Sequence, residues 1–288
     1  KNGYFNVYFT VCEPDNRFTR RIDHELYCLG HLIEAAVAYY NATNRDRFLK
    51  LICKYTDYVE RVFKKEDSAN FTTPGHEEIE LALVKLYHCT NERSYLDLSK
   101  FFIDKRGAND KDISTEYSIA EPAYSQSHLP VREQTSAEGH SVRACYLYTA
   151  MADLAMEYKD KELLSACKSI FNDIITKKMY ITGGIGQSHI GETFTIAYDL
   201  PNRTAYAETC AAIALAFFAQ RLLNTEANSV YSDLIEKLLY NGILSGISLD
   251  GTSFFYENPL EIVPTFNNRE CSGKKEHRMH TPITQRVK

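Results

Sequence analysis

Between Tyr180 and Leu222 the chain reads YITGGIGQSHIGETFTIAYDLPNRTAYAETCAAIALAFFAQRLL, and three of its side chains, Glu192, Glu208 and Cys210, are of types that do chemistry. A carboxyl can pass a proton to or from a breaking bond, and a carboxylate beside a thiol is a donor pair for zinc. Glu192 sits on a loop next to Gly191 and after Gly183-Gly184-Ile185-Gly186, so the backbone can bring it over a pocket with few steric limits. The glycine run is not a phosphate cradle, because neither a Gly-Lys-Ser/Thr ending nor a clear βαβ context accompanies it. Taken alone, Glu192 reads more plainly as a solvated loop carboxylate. Glu208 and Cys210, at i and i+2, do not face one another on a helix and fall short of the three or four ligands zinc takes. They can act together only at a helix start, where the backbone is not yet fully helical.

The elements that must position these groups form a repeat. HLIEAAVAYYNATNRDRFLKLICKYTDYV, from His31, aligns with EIELALVKLYHCTNERSYLDLSKFFIDKR, from Glu78, and places Thr43-Asn44 over Thr90-Asn91, 47 residues on. Each copy is an amphipathic helix with small and apolar residues at i, i+3 and i+4, a short polar turn, and a second helix. Looser copies begin at Ser141 and Cys210, which makes four αα-hairpins. Stacked hairpins bury a core between an inner and an outer ring of helices, either as an α-solenoid or as a closed α/α toroid. The connections from Lys105 to Gln134 and from Lys178 to Arg203 are about as long as the helices, whereas a regular solenoid has short, equal links. Long loops over a helical scaffold favour the toroid, with a site at one end.

The starts of the first helices point to the same end. Asp23 reads as an N-cap followed by His24; Thr73-Pro74 as cap and first-position proline before His76; Thr135-Ser-Ala-Glu138 as a capping box with His140 just inside. The fourth helix is expected to begin around Thr204 to Tyr206 and to present Glu208 and Cys210. In a ring whose first helices run the same way, these residues converge at one rim. Each histidine alone is more simply a surface or cap residue; the recurrence in consecutive hairpins is what argues for a site.

Composition sets outer bounds. The 288 residues are 44% hydrophobic and 25% charged, with a net charge of -5 and scattered basic residues, so there is no electrostatic footprint for nucleic acid. No apolar run approaches the roughly 18 to 20 residues that span a bilayer. The eight cysteines lie far apart, several on apolar helix stripes, as buried free thiols do; this reads as a reducing, cytoplasmic compartment. A small uncharged partner fits best.

The Tyr180–Leu222 segment resembles glycoside hydrolase family 127, the β-L-arabinofuranosidases, and the likeness extends over nearly the whole chain. The resemblance implies an all-α (α/α)6 barrel and, since four hairpins are counted where six are expected, a single catalytic domain over residues 1–288 truncated at both ends. The open ring would then leave apolar faces near Tyr4 to Phe9 and Leu239 to Ile247 for further chain segments or a second copy of the chain to cover. It also implies a retaining exo-β-L-arabinofuranosidase acting on arabinofuranose-containing oligosaccharides or glycoconjugates. Glu192 falls on the general acid/base, Glu208 and Cys210 on two of the Zn²⁺ ligands, His24, His76 and His140 on the histidines of the sugar pocket, and Tyr256, in FFYENPLE, on a pocket tyrosine.

In the family two further zinc ligands are adjacent cysteines, one of them the nucleophile, in a Trp-containing Cys-Cys-Pro segment that follows the stretch matching His280 to Lys288. This chain has no tryptophan and no Cys-Cys pair, so the resemblance places the nucleophile outside these 288 residues. Cys271, with His277 and His280, has a poor zinc spacing and is no substitute. AEPAYSQSHLPVREQ, around Tyr124 to Gln134, matches the family without an assigned role. Two rival readings stand beside this one: a non-catalytic homologue that binds sugar or assembles with another chain, and another α/α-toroid sugar enzyme such as an epimerase or glycuronide hydrolase.

Overall fold

A computed structural model describes residues 2–108 and 122–261 of the chain; Cys271, His277 and His280 lie outside the described residues. The regular elements are helices: α1 (Tyr8–Val11), α2 (Glu25–Thr43), α3 (Arg47–Glu60), α4 (Ile79–Thr90), α5 (Arg93–Lys105), α6 (Ser141–Tyr158), α7 (Lys161–Asp173), α8 (Thr209–Thr225) and α9 (Ser229–Lys237). The hairpins read from the sequence are α2 with α3, α4 with α5, α6 with α7 and α8 with α9. Among the described residues there is no strand, only isolated bridges, and no helix is long and apolar enough to cross a membrane. The chain divides into two compact units, one of residues 1–133 and 150–164, the other of 134–149 and 165–288.

In the first unit the repeat is visible at atomic level. Asn44 and Asn91 both adopt the left-handed conformation, φ 56 and 60, and each donates its N–H back to a tyrosine carbonyl, Tyr40 or Tyr87. Thr43 and Thr90 bond the carbonyls four residues earlier, and their Oγ1 atoms accept from Arg45 N and Glu92 N. Asparagine tolerates the left-handed region because its short polar side chain adapts there at low cost, so the Thr-Asn pair ends one helix and starts the turn. Lys159 makes the same left-handed turn, φ 53, between α6 and α7 without the asparagine.

The core of this unit is the set of i, i+3 and i+4 stripes: Leu26, Leu29, Ile33 and Val37 of α2 against Leu49, Ile52, Tyr55 and Val59 of α3 and Ile79, Ala82, Leu83 and Leu86 of α4. Gly30 is required by close approach, since a Cβ there would lie 2.6 Å from Glu78 Cγ and 2.9 Å from Ile79 N. Burial of Leu29 or Ile33 removes a whole aliphatic side chain from water, worth about 1.5–3 kcal/mol each. Of the apolar residues at the chain's start, Tyr4 packs on Phe18, Tyr55 and Tyr58 and Phe9 is buried, while Phe5, Val7, Tyr8 and Val11 face solvent.

In the second unit Tyr148, Phe171, Phe218 and Tyr231 make a run of ring contacts at 4.9–5.9 Å that seats α8 and α9. A π-helical turn, Leu238–Ile243, follows α9, burying Leu238 and Gly242 and leaving Leu239, Tyr240, Leu244 and Ile247 exposed.

Every expected helix start is displaced toward the C-terminus. Asp23 does not cap α2; it pairs with Arg20, and His24 at φ 58 is the left-handed residue before the helix. Thr73-Pro74 does not open α4, which begins at Ile79, because Thr73 is taken by the buried Arg21 guanidinium, Nε to Thr73 O and Nη2 to Thr73 Oγ1, both 2.9 Å. The Thr135–Glu138 capping box does not form: Glu138 bonds Ser136 Oγ and Lys178 Nζ, and α6 starts at Ser141. The fourth first helix, α8, starts at Thr209, three residues after Tyr206, since Ala207 is left-handed and Glu208 extended. At Thr73 and Glu138 a tertiary contact, from Arg21 and Lys178, outweighs the local cap signal, and His24, His76, His140 and Glu208 stand on the irregular backbone before their helices.

Candidate active site

His24 and His76 are brought together in the first unit. Their ring centroids are 5.9 Å apart, and Tyr27, one turn into α2, packs against both, 5.6 Å from His24 and 4.5 Å from His76. His31 continues the row at 4.5 Å from Tyr27. The loop carrying His76 is fixed from below by two buried arginines. Arg21 holds Thr73 and Pro74; Arg106, wholly buried, holds Pro74 O at 2.8 Å and pairs with Glu77 at 2.8 Å and Glu80 at 3.3 Å. Residues of the Tyr124–Gln134 segment complete this support, Ser125 O accepting from Arg106 and Ser127 Oγ from Arg21. The strong sequence match there thus has a positioning role in this unit.

Both histidines give Nδ1 to a main-chain carbonyl, His24 to Ile22 O and His76 to Glu77 O at 2.8 Å. A carbonyl only accepts, so Nδ1 carries a proton in both rings. Such rings, with a tyrosine between them, suit hydroxyl groups of a sugar.

His140, Glu192, Glu208, Cys210 and Tyr256 lie in the second unit. The glycine loop serves close approach more than latitude: Gly186 has φ 82, and a Cβ on it would meet Ser141 Oγ at 2.6 Å. The loop is laced by Ala207 N to Gly186 O at 2.8 Å, the Ser188–Thr193 main-chain pair, and Phe194 N to Gly139 O at 2.9 Å. Glu192, itself left-handed at φ 58, gives its carbonyl to Ser141 N at 3.0 Å and Ser141 Oγ at 3.1 Å. Its carboxylate takes the Tyr206 hydroxyl on Oε1 at 2.6 Å and approaches His140 Nε2 through Oε2 at 2.8 Å. Glu192 remains about a third exposed, so it is held but reachable.

Glu208 is the extended residue before α8 and Cys210 the second residue within it, so the pair straddles the helix start. Glu208 is 1% exposed and its Oε2 has no hydrogen-bond partner. Burial first, then the Glu192 charge, pushes its carboxyl up to about 8, against the hydroxyls of Tyr256 and Tyr206. Burial and then Glu208 push the Cys210 thiol up to about 11. A buried carboxyl with an orphan oxygen, raising the half-buried thiol beside it, is short of positive charge; the pair fits a cation such as Zn²⁺. Among the described residues no third His, Cys, Asp or Glu joins them.

Tyr256 is delivered by a segment running along residues 206–209: Thr209 N to Tyr256 O at 2.9 Å, Asn258 N to Tyr206 O at 3.0 Å, and Asn258 Nδ2 to Ala207 O at 2.9 Å. Its ring lies 6.3 Å from that of Tyr206. Tyr206 and Asn258 were not singled out from the sequence. Tyr206 stands two residues before Glu208 in TAYAETC, and that proximity is the signal that could have drawn attention to it; Asn258 carries none.

The catalytic-domain model of the GH127 β-L-arabinofuranosidases matches residues 1–281. This chain belongs to glycoside hydrolase family 127. Over 253 residues, 84% of the chain, it is 43% identical to the non-reducing end β-L-arabinofuranosidase of Bifidobacterium longum subsp. longum, of which it covers 38%. It superposes on a GH127 β-L-arabinofuranosidase of Geobacillus stearothermophilus T6 with a TM-score of 0.88 at 47% identity, covering 93% of this chain and 45% of that one. A second GH127 β-arabinofuranosidase gives 0.78 at 46% identity, with 85% and 37% covered. These GH127 structures are (α/α)6 barrels, and the helical hairpins here are of that all-α fold class. The chain spans less than half the length of each relative.

Proposed function

We propose that the protein carrying this chain is a retaining exo-β-L-arabinofuranosidase that releases terminal L-arabinofuranose from oligosaccharides or glycoconjugates. The observation that carries the reading is the Glu192 carboxyl, held between Tyr206 and His140 in a GH127 chain and close enough to buried Glu208 to raise its affinity for a proton. Glu192 is assigned as acid/base: it protonates the departing glycosidic oxygen and then takes a proton from the water that completes the turnover. His24, His76, His140 and Tyr256 are assigned to the sugar pocket. Glu208 and Cys210 would hold Zn²⁺. Bound there, it would supply the charge that keeps cysteine ligands as thiolates at neutral pH. The nucleophile is assigned to a cysteine outside these 288 residues, since none of the chain's cysteines is adjacent to another.

The test is Glu192→Gln in the full-length protein, with two substrates. Positioned proton transfer contributes about 10² to 10⁴-fold. A loss of that size for a poor leaving group, and a much smaller one for an activated aryl β-L-arabinofuranoside, is the expected outcome. Equal losses on both substrates would remove Glu192 from the acid role.

A further inference from the structure

His140 is the residue immediately before α6, and both nitrogens of its ring are engaged. The N–H of Arg143, in the first turn of the helix, points at Nδ1 from 3.2 Å, and Glu192 Oε2 lies 2.8 Å from Nε2. A backbone amide can only donate, so Nδ1 presents a lone pair, and a neutral imidazole with its lone pair there carries its proton on Nε2. The contact to Glu192 is then Nε2–H to Oε2, a hydrogen bond to a charged acceptor. The imidazole occupies the place of the usual Ser, Asp or Asn cap, bonding the third N–H of the helix. A second proton at Nδ1 would set N–H against N–H and lose that cap, so the helix terminus selects the tautomer.

The same terminus holds the main chain of Glu192, whose carbonyl accepts from Ser141 N and Oγ, while residues 140 and 193 form an antiparallel bridge. With Oε2 committed to an Nε2–H donor, a proton on Oε2 would oppose it. Oε1 faces Tyr206, whose hydroxyl both donates and accepts, so a proton is tolerated on that oxygen.

We propose that His140 is a positioning residue for Glu192: fixed by the first turn of α6 as the Nε2–H tautomer, it donates to Oε2 and thereby makes Oε1 the seat of the proton that Glu192 transfers. In the transfer the Oε1–H bond breaks as the leaving oxygen gains that proton and keeps the electron pair of the C–O bond. The inference rests on Glu192 as acid/base for its catalytic part, but the tautomer does not depend on that reading.

Nitrogen NMR of the full-length protein labelled at histidine, with His140 assigned by substitution, reads the tautomer directly. An unprotonated, accepting Nδ1 and a protonated Nε2 near pH 7 are expected. An Nδ1–H ring or an imidazolium would overturn the proposal, whatever Glu192→Gln does to activity. Two variants separate the ring's roles. Asn reaches the Nδ1 position and can keep the cap, whereas Gln reaches the Nε2 position and can keep the donor. His140→Asn should keep its melting temperature within a few degrees and lose on the order of 10² in kcat for a poor leaving group, a larger factor than any rise in KM from lost sugar contact. His140→Gln should melt lower and stay within about tenfold of wild-type kcat, the donor being worth the most there. Equal kcat losses in both variants, or a loss carried mainly by KM, would instead assign His140 to sugar contact alone.

Discussion

The two units use the same residue type in opposite senses. In the first, His24 and His76 spend Nδ1–H on main-chain carbonyls at 22 and 77, and their rings are steadied by Tyr27. In the second, His140 spends the Nδ1 lone pair on a helix N–H and turns Nε2 toward a carboxylate. The charges differ in the same way. Arg106 answers Glu77 and Glu80 beneath the first cluster, so its buried acids are structural, whereas Glu192 and Glu208 meet hydroxyls, an imidazole and a thiol. The comparison teaches that the backbone group beside an imidazole sets its tautomer, an accepting carbonyl fixing the proton on Nδ1 and a donating N–H keeping it off.

The contrast in charge is broken most severely at Arg106. Arg106→Met leaves Glu77 and Glu80 buried without their guanidinium and should cost about 3–5 kcal/mol by chemical denaturation. A loss under 1 kcal/mol would mean that those acids are not held as ions, and that the two units do not differ in this respect. In the second unit Tyr206→Phe removes one donor to Glu192. A hydrogen bond to a charged group is worth about 1.5–3 kcal/mol, so kcat/KM for poor leaving groups should fall by roughly ten- to a hundredfold, and less for activated ones. Wild-type kinetics in that variant would show that Oε1 needs no partner.

Glu78 sharpens the comparison within the first unit, because it is a buried acid whose neighbours are mixed. His31 lies 3.4 Å away, and burial first, then Glu34, push its carboxyl up to about 9 against the pull of Lys85. A carboxyl raised in the folded state binds a proton that the unfolded chain has released. Its contribution to stability is therefore full below about pH 4.5 and is lost as pH rises toward 9, the reverse of a salt-bridged acid. Glu78→Gln should flatten the fall in melting temperature across that window and stabilise the protein near pH 8, each pKa unit of the shift being worth about 1.4 kcal/mol. A steeper fall in the variant would show that Glu78 works as an ion. The smallest effect belongs to the repeat: Asn44→Ala and Asn91→Ala should each cost about 1 kcal/mol, additively, because alanine resists the left-handed turn. Replacement by glycine should cost less, and an alanine variant as stable as wild type would deny the turn its role.

Much of the fold was legible before any coordinates. The 47-residue spacing of Thr43-Asn44 and Thr90-Asn91 reappears as two turns with the same hydrogen bonds, and the apolar stripes of α2 and α4 are buried as their spacing requires. Helix starts were not legible. Thr73 and the Thr135–Glu138 box carry good local cap signals, yet Arg21 and Lys178, 52 and 40 residues away, claim Thr73 and Glu138, and such partners lie beyond the reach of a local rule; Asp23 is claimed by its near neighbour Arg20. At the site, Glu192, Glu208 and Cys210 stood out by type and motif. Tyr206 did not, because a tyrosine among 20 is by default a packing residue.

The sequence by itself determined the hairpins, their turns and the family, since periodicity, left-handed asparagines and motif spacing are properties of neighbouring residues. Tertiary structure alone decided that His24 and His76 carry a proton on Nδ1 and His140 one on Nε2, that Gly186 serves the approach of the loop to Ser141, and that burial pushes the Glu208 carboxyl and Cys210 thiol up. Those outcomes depend on distance between residues far apart in the chain and on the loss of water around them, and neither is written in any local pattern.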